Sequence, residues 1–317
     1  MSDYVFAADL GGTKCAAAIV DRDGRIVDRR VAPVDLSSAS APVAQILKFA
    51  KELSCPRCPS AVFASAAVAV PGLARKDGTV WAPNLPGWKR MPLAGRLQRW
   101  LRIPVVVESD RNAAVLGESW RGAAKGKSDV IMLIIGTGIG AGILSGGRLV
   151  RGAHELSGCA GWLIVTGHEN FRASQLGELE SLCAGPAISR ATQEFLRAGR
   201  KSTLSELDPA RITAHEVAAA ARQGDRLALE VFTQAGTFLG YGVANLVSLF
   251  DPEIVVIAGG IAGAADLFLD SVRSIVSLRA QPLAARQTKV VVSKLGDSAN
   301  LLGCASLALR VAGDPSD

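Results

Sequence analysis

An α/β fold of duplicated mixed-sheet domains is predicted by three features of the sequence. Strand patterns alternate with helical ones, each half opens with the same plan, and glycine turns stand at three strand ends. Residues 4–8, 16–20 and 25–31 read as consecutive strands joined by tight turns. Asp21-Arg22-Asp23-Gly24 is the hairpin signal, because Gly24 takes a positive φ without steric cost. Residues 43–53 carry helical periodicity, 61–70 form a buried strand of small residues ended by Pro71-Gly72, and 103–107 form another strand. Asp110 then opens a helix to about Trp120, with its carboxylate at the positive N-terminus.

The second half repeats the opening. An apolar strand at 130–135 runs into Gly136-Thr137-Gly138-Ile139-Gly140, a strand at 141–144 and a Gly146-Gly147 turn. Arg148-Leu149-Val150 then echoes the Gly24-Arg25-Ile26-Val27 of the first hairpin. Helices follow near 176–198 and 225–249, then a strand at 254–258, Gly259-Gly260, a helix at 265–278, a strand at 289–292 and a helix at 299–311. With a boundary at Ala123–Ser128, the expected domains are an N-terminal lobe, 1–122, joined by the C-terminal helix 300–317, and a C-terminal lobe, 123–299.

The chain has 317 residues, 49% of them hydrophobic, which is enough for two domains with their own cores. No apolar run approaches the roughly 20 residues of a membrane span. The N-terminus lacks the basic region and cleavage site of a signal peptide, so a cytoplasmic protein is expected. Aromatics at 5% argue against a stacking surface for single-stranded nucleic acid. The net charge of +6 suits phosphate-bearing ligands but reads first as a mildly basic surface, and Arg96, Arg99 and Arg102 as a solvated helix face. Six cysteines are too few for a disulfide scaffold. Cys55-Pro-Arg-Cys58 has half a zinc spacing without a second pair, and is read as a surface-loop pair.

Asp9-Leu10-Gly11-Gly12-Thr13-Lys14 follows directly on a strand. Its glycines allow close approach to a phosphate, Thr13 can donate a hydrogen bond, Lys14 adds charge, and Asp9 can hold Mg²⁺ through water. It is neither a Walker loop nor a dinucleotide fingerprint, and taken alone it is a tight hairpin or a phosphate site. Gly136–Gly140 carries the same two readings. Gly259-Gly260 lies between a strand and a helix, where N-terminal amides meet nucleotides. Together the turns suit one nucleotide held across a cleft between two lobes.

The motifs DLGGTK at 9–14, VPG at 70–72, APNLPGW at 82–88, ESDRNAAVLGE at 108–118, GTGIGAGI at 136–143, GELE at 177–180, DPEIVVIAGG at 251–260 and LGDSANLLGCA at 295–305 span nearly the whole chain. In this order they resemble the ROK family of sugar kinases, within the actin-like, hexokinase-like ATPase superfamily. The resemblance implies a two-lobed actin-like ATPase (ribonuclease-H-like) fold with a central cleft. It also implies ATP-dependent phosphorylation of a sugar or sugar-like hydroxyl, with Mg²⁺, and a homodimer. By resemblance Asp110 is the general base, working by geometry because the helix dipole lowers its basicity; it is also expected to cap the helix. ATP phosphates would lie on Asp9, Gly11, Gly12, Thr13, Lys14, Thr137, Gly138, Gly140, Gly259 and Gly260. The sugar would meet Gly72, Asn84, Asp110 and Glu180.

The sequence departs from the family pattern around the sugar. Ser109 stands where the family has Asn. Gly158-Cys159-Ala160-Gly161-Trp162 replaces Gly-Glu-x-Gly-His, and HENFRASQL replaces a cysteine-rich zinc loop. No structural zinc is therefore expected, with His154, His168 and Cys183 serving no metal. Two readings follow: a kinase whose substrate has changed, or a sugar-sensing or vestigial member of the family. Only eight residues precede Asp9, too few for the helix-turn-helix of the family's repressors, so no nucleic-acid partner is expected. Trp162 either stacks on a sugar ring or aglycone, or begins a core strand over 162–165.

Overall fold

Two five-stranded sheets with the same strand order organise the chain, and each belongs largely to its own compact unit. The computed structural model describes residues 4–53, 63–167 and 173–313. Cys55, Cys58 and His168 lie outside the described residues.

The first unit comprises residues 1–126, 149–157 and 294–317. Its sheet runs β3-β2-β1-β4-β7, with β1 (Tyr4–Leu10), β2 (Lys14–Asp21) and β3 (Ile26–Pro33) antiparallel, and β4 (Ala66–Val70) and β7 (Val105–Ser109) parallel to β1. The Asp21–Gly24 hairpin forms as expected. Asp21 Oδ1 accepts from the amides of Asp23 and Arg25 at 3.0 and 2.8 Å, and Gly24 has φ +76°. Helix α1 (Ala41–Glu52) buries Ile46 and Phe49 on this sheet. The short strands β5 (Leu73–Ala74) and β6 (Val80–Trp81) and helix α2 (Leu93–Leu101) complete the core around Trp88 and Leu97.

Helix α3 (Asp110–Arg121) continues from β7 and packs on the C-terminal helix, residues Ala299–Gly313. A Cβ on Gly303 would stand 1.7 Å from the Ala113 carbonyl oxygen, and one on Gly117 would stand 2.1 Å from that of Ala299. Glycine is needed there for two backbones to touch. Buried Glu118 closes the α3 end, its Oε1 accepting from the Lys294 and Leu295 amides at 3.1 and 3.0 Å.

The second unit comprises residues 127–148 and 158–293. β8 (Val130–Ile135) and β9 (Ile139–Ser145) are antiparallel, β10 (Arg148–Leu149) follows the Gly146-Gly147 turn, and β11 (Ile254–Ala258) and β12 (Lys289–Val292) add in parallel, giving β10-β9-β8-β11-β12. The helices are α4 (Ala173–Leu176), α5 (Glu178–Cys183), α6 (Gly185–Arg197), α7 (Ala214–Arg222), α8 (Arg226–Phe250), α9 (Leu269–Arg279) and α10 (Pro282–Gln287). The C-terminal helix α11 (Ala299–Gly313) belongs to the first unit.

Several expectations need correction. The strand expected over 61–70 is only Ala66–Val70 among the described residues. The single helix expected over 176–198 is broken, with Gly177 at φ +89° and Ala184 extended before Gly185-Pro186. The helix expected at 265–278 divides into a 3₁₀ segment, Gly260–Leu267, and α9, with Phe268 non-helical between them. Residues 162–165 form no strand: Ala160–Trp162 is a 3₁₀ turn. Helix α7, set by a Thr213/Glu216 capping box, was not anticipated. Residues 123–126, 149–157 and 294–299, assigned to the second lobe from sequence, group with the first unit. No helix among the described residues is long and apolar enough to cross a membrane.

Candidate active site

In the first unit, the carboxylates cluster where β1 and β7 end. Asp9, in register with Ala16 of β2 and Ala69 of β4, is half-buried and bonded by the side chain of Asn300. Burial pushes its pKa up to about 6 despite the Asn300 bond, with the neighbouring charges of Asp110 and Asp297 raising it further and that of Lys14 opposing. Lys14 Nζ meets Asp297 at 2.7 Å, and the turn before it is closed by Gly11 N–H on the Lys14 carbonyl at 2.9 Å. Gly12 and Thr13 are exposed, and a Cβ on Gly12 would meet nothing within 4 Å. Asp9 and Lys14 are thus brought together, with Gly12 facing open space.

Asp110 is the first residue of α3, one past the cap. The cap position belongs to Ser109, whose side chain makes no capping bond and whose buried Oγ has no partner. The expectation that Asp110 caps the helix is therefore corrected. So is the expectation about its basicity: burial raises its pKa, against the opposing Arg111 amide (2.8 Å) and charge. Desolvation outweighs the helix end. Residues that the sequence reading left without a role hold this corner. Buried Glu108 accepts from the Ser109 amide and Asn112 Nδ2, both at 2.9 Å, and takes Arg151 in a two-pronged pair at 2.7 and 3.1 Å. Arg111 donates to the carbonyls of Ser157 and Glu155 at 3.1 and 3.3 Å. The charged motif ESDRN signals such a network, but its partners lie more than 40 residues away in sequence.

The substrate loop of the first unit is anchored by its apolar residues. Ala82, Leu85 and Trp88 are buried, and Trp88 Nε1 donates to the Ala39 carbonyl at 2.8 Å, leaving Asn84 exposed between Ala82 and Leu85. Gly72 has φ +92°, and a Cβ there would lie 2.4 Å from the Trp81 carbonyl oxygen, so this position has a backbone reason to be glycine.

The second unit holds a cavity of about 970 Å³ at the ends of β8 and β11. Gly136, Thr137 and Gly260 line it together with Gly185, Gln193 and His215. Gly185 N–H bonds the Gly136 carbonyl at 2.9 Å, pinning the turn to the start of α6. Gly260 faces open space, whereas a Cβ on Gly259 (φ +86°) would stand 2.3 Å from the Ile135 carbonyl oxygen. Gly138 and Gly140 do not line the cavity: Gly140 pairs with Ile134, and a Cβ on Gly138 would stand 2.7 Å from Glu180 Oε2. That oxygen accepts the Ile139 amide at 2.8 Å, so Glu180 braces the turn. Sequence reasoning missed Ser189, Gln193 and Arg197, whose i, i+4, i+8 spacing on α6 could have marked a polar face over the cavity.

At the altered sugar positions, Trp162 is 56% exposed, which overturns its reading as a core residue; Cys159 is exposed too. Cys183 is buried, its thiol pushed well above the usual range by burial, and His154 is exposed. Among the described residues, no group of three His, Cys, Asp or Glu side chains lies close enough to hold a metal directly.

The ROK family matches residues 5–311. The glucokinase of Halalkalibacterium halodurans is 30% identical over 312 residues, covering 96% of this chain and 94% of that protein. A ROK family glucokinase from Streptomyces griseus, solved in complex with glucose and AMPPNP, superposes with a TM-score of 0.76 at 30% identity, over 97% of this chain and 99% of that one. A ROK family transcriptional regulator, a homologue of the E. coli MLC protein, superposes with a TM-score of 0.85 at 24% identity, over 98% of this chain and 78% of that one; this likeness concerns the fold alone.

Proposed function

The chain belongs to the ROK family, and from that premise we propose that it is an ATP-dependent carbohydrate kinase with Asp110 as general base. The reading rests chiefly on a half-buried carboxylate of raised basicity, fixed at the first turn of α3 beside Asp9. A carboxylate so placed can accept the proton of a sugar hydroxyl as its oxygen bonds to the γ-phosphorus. The bond to the β-phosphate oxygen breaks and ADP leaves. Thr137, Gly260 and the open α6 face are assigned to the nucleotide, a group the S. griseus relative also binds as AMPPNP. Gly11, Gly12, Thr13 and Lys14 of the first unit are assigned to the phosphates, and Gly138, Gly140 and Gly259 shape the backbone of the second unit's own turns.

Asp9 suits a divalent cation. Its pKa is raised by burial and, to a lesser degree, by the neighbouring charges of Asp110 and Asp297, which an ion held through water would offset. Bound Mg²⁺ would neutralise charge on the transferring phosphate. Asn84 and Glu180 supply hydrogen bonds to sugar hydroxyls, Glu180 while bracing the Gly138 turn. The exposed face of Trp162 favours a substrate less polar at that end than free glucose: a glycoside, a deoxy sugar or a cyclic polyol. We further assign the protein to the cytoplasm, as a homodimer.

The test is a coupled ADP-release screen over hexoses, N-acetylhexosamines, ketoses, polyols and glycosides. Turnover on any of them is the expected result. Thermal stabilisation by a sugar with no turnover on the whole panel would overturn the kinase reading in favour of a sensor.

A further inference from the structure

A second cavity, of about 530 Å³, lies in the first unit and contains none of the residues assigned above to ATP or sugar. It opens along the outer edge of β7, which among the described residues pairs only with β4. The turn after β5 and the exposed side of α2 close it. Its size suits a small molecule.

Three cations, Arg75, Lys76 and Arg151, and three carboxylates, Asp77, Glu108 and Glu155, line it, but their pairing is uneven. Arg151 is committed to Glu108 by two hydrogen bonds, and Asp77 to Thr79 and to Arg90 at 3.0 Å. Glu155 has Lys76 at 3.8 Å and Arg151 at 4.0 Å. Arg75 lines the same cavity, yet its Nη1 is buried without a hydrogen-bond partner, and it has no ion pair among the described residues. A guanidinium nitrogen withdrawn from water with nothing to donate to is costly to leave unmet. Its planar fork matches an oxyanion, which accepts two parallel N–H bonds. The Gln98 amide lines the same space, and the Glu155 carboxylate can accept from hydroxyls.

We propose that this cavity binds a small hydroxylated oxyanion, a phosphate monoester or a carboxylate, on Arg75. The strand forming its wall, β7, continues through Glu108 and Ser109 into Asp110. Occupancy of the cavity therefore acts on the corner that carries Asp110, as an effector site separate from the substrate's. Binding here does not depend on the kinase reading; its effect on turnover does.

Titration calorimetry on the full chain, with glucose 6-phosphate, inorganic phosphate and gluconate as probes, tests this. At least one hydroxylated probe is expected to bind with a component weakened about ten- to a hundredfold by Arg75→Ala and by Arg75→Gln. AMPPNP affinity should stay unchanged in both variants. A loss confined to glucose 6-phosphate identifies a phosphate monoester, and one confined to gluconate a carboxylate. Inorganic phosphate binding as tightly as glucose 6-phosphate would overturn the assignment of hydroxyl contacts. Equal affinities in wild type and both variants for all three probes, or no binding at all, would overturn the site. Should either variant melt early, hydrogen exchange on the wild type decides: bound probe must slow exchange at 75–78 and 105–108.

Discussion

The two sheets share a strand order but hold their glycine turns in different ways. In the first, the turn after β1 is closed by its own backbone, Gly11 to Lys14, and its charge is set by Asp9, Lys14 and Asp297. In the second, the turn after β8 is braced by a side chain from a different element, Glu180, and by the start of α6. Duplicated topology thus carries divergent chemistry. The sheets are specified by runs of small and β-branched residues, while the work at the strand ends depends on what packs there. The first unit supplies the carboxylates proposed to take a proton and to hold a cation, and the second supplies a cavity of about 970 Å³.

The largest effect that separates the two is expected for Asp110→Asn. Turnover should fall about a thousandfold or more, while AMPPNP affinity, read by calorimetry, stays near the wild-type value. Asparagine is nearly isosteric, so near-normal turnover in the folded variant would remove the base from the first unit. Gly138→Val probes the brace. The new side chain must displace the Glu180 carboxylate, so melting temperature should drop by an amount equivalent to about 1–3 kcal/mol, with weaker nucleotide binding. Gly12→Ala, in open space, should leave the melting temperature alone. Equal melting of both variants would mean the two turns are held alike.

The third prediction concerns pH. The Asp9 pKa rises from 3.8 to about 6 on folding, so the folded state favours its protonated form. The stability this contributes is complete below 3.8 and is lost as pH rises through about 6. Without nucleotide or Mg²⁺, melting curves should show Asp9→Asn gaining about 1–2 kcal/mol on the wild type between those limits. A pH-independent difference would deny the raised pKa. The smallest effect is expected in the second unit: Cys159→Glu with Trp162→His should shift preference towards free glucose by about tenfold in kcat/KM. Efficient glucose phosphorylation by the unaltered protein would show that these two positions do not set specificity.

Much of this was legible beforehand. The three opening strands, the Asp21–Gly24 hairpin, the repeat at β8 and the strands at 254–258 and 289–292 follow from local patterns, because alternation, turn glycines and apolar runs act over a few residues. The breaks at Gly177 and Phe268 were not legible, since helical periodicity runs on across them. Trp162 was equally ambiguous, because an indole before Leu-Ile-Val suits a strand as well as a surface; only the 3₁₀ turn at Ala160–Trp162 decides that it faces out.

The sequence by itself determined the residue types at the strand ends, the order of the two sheets' elements and the family to which the chain belongs. Tertiary structure alone decided that Asp110 is a stronger base than its helix end suggests, because desolvation depends on what surrounds the carboxylate. It alone bound Glu108 to Arg151 and Glu180 to Ile139, 43 and 41 residues apart, and left Arg75 Nη1 without a hydrogen-bond partner among the described residues. Such pairings are invisible along the chain, because burial and hydrogen bonding are settled by neighbours in space.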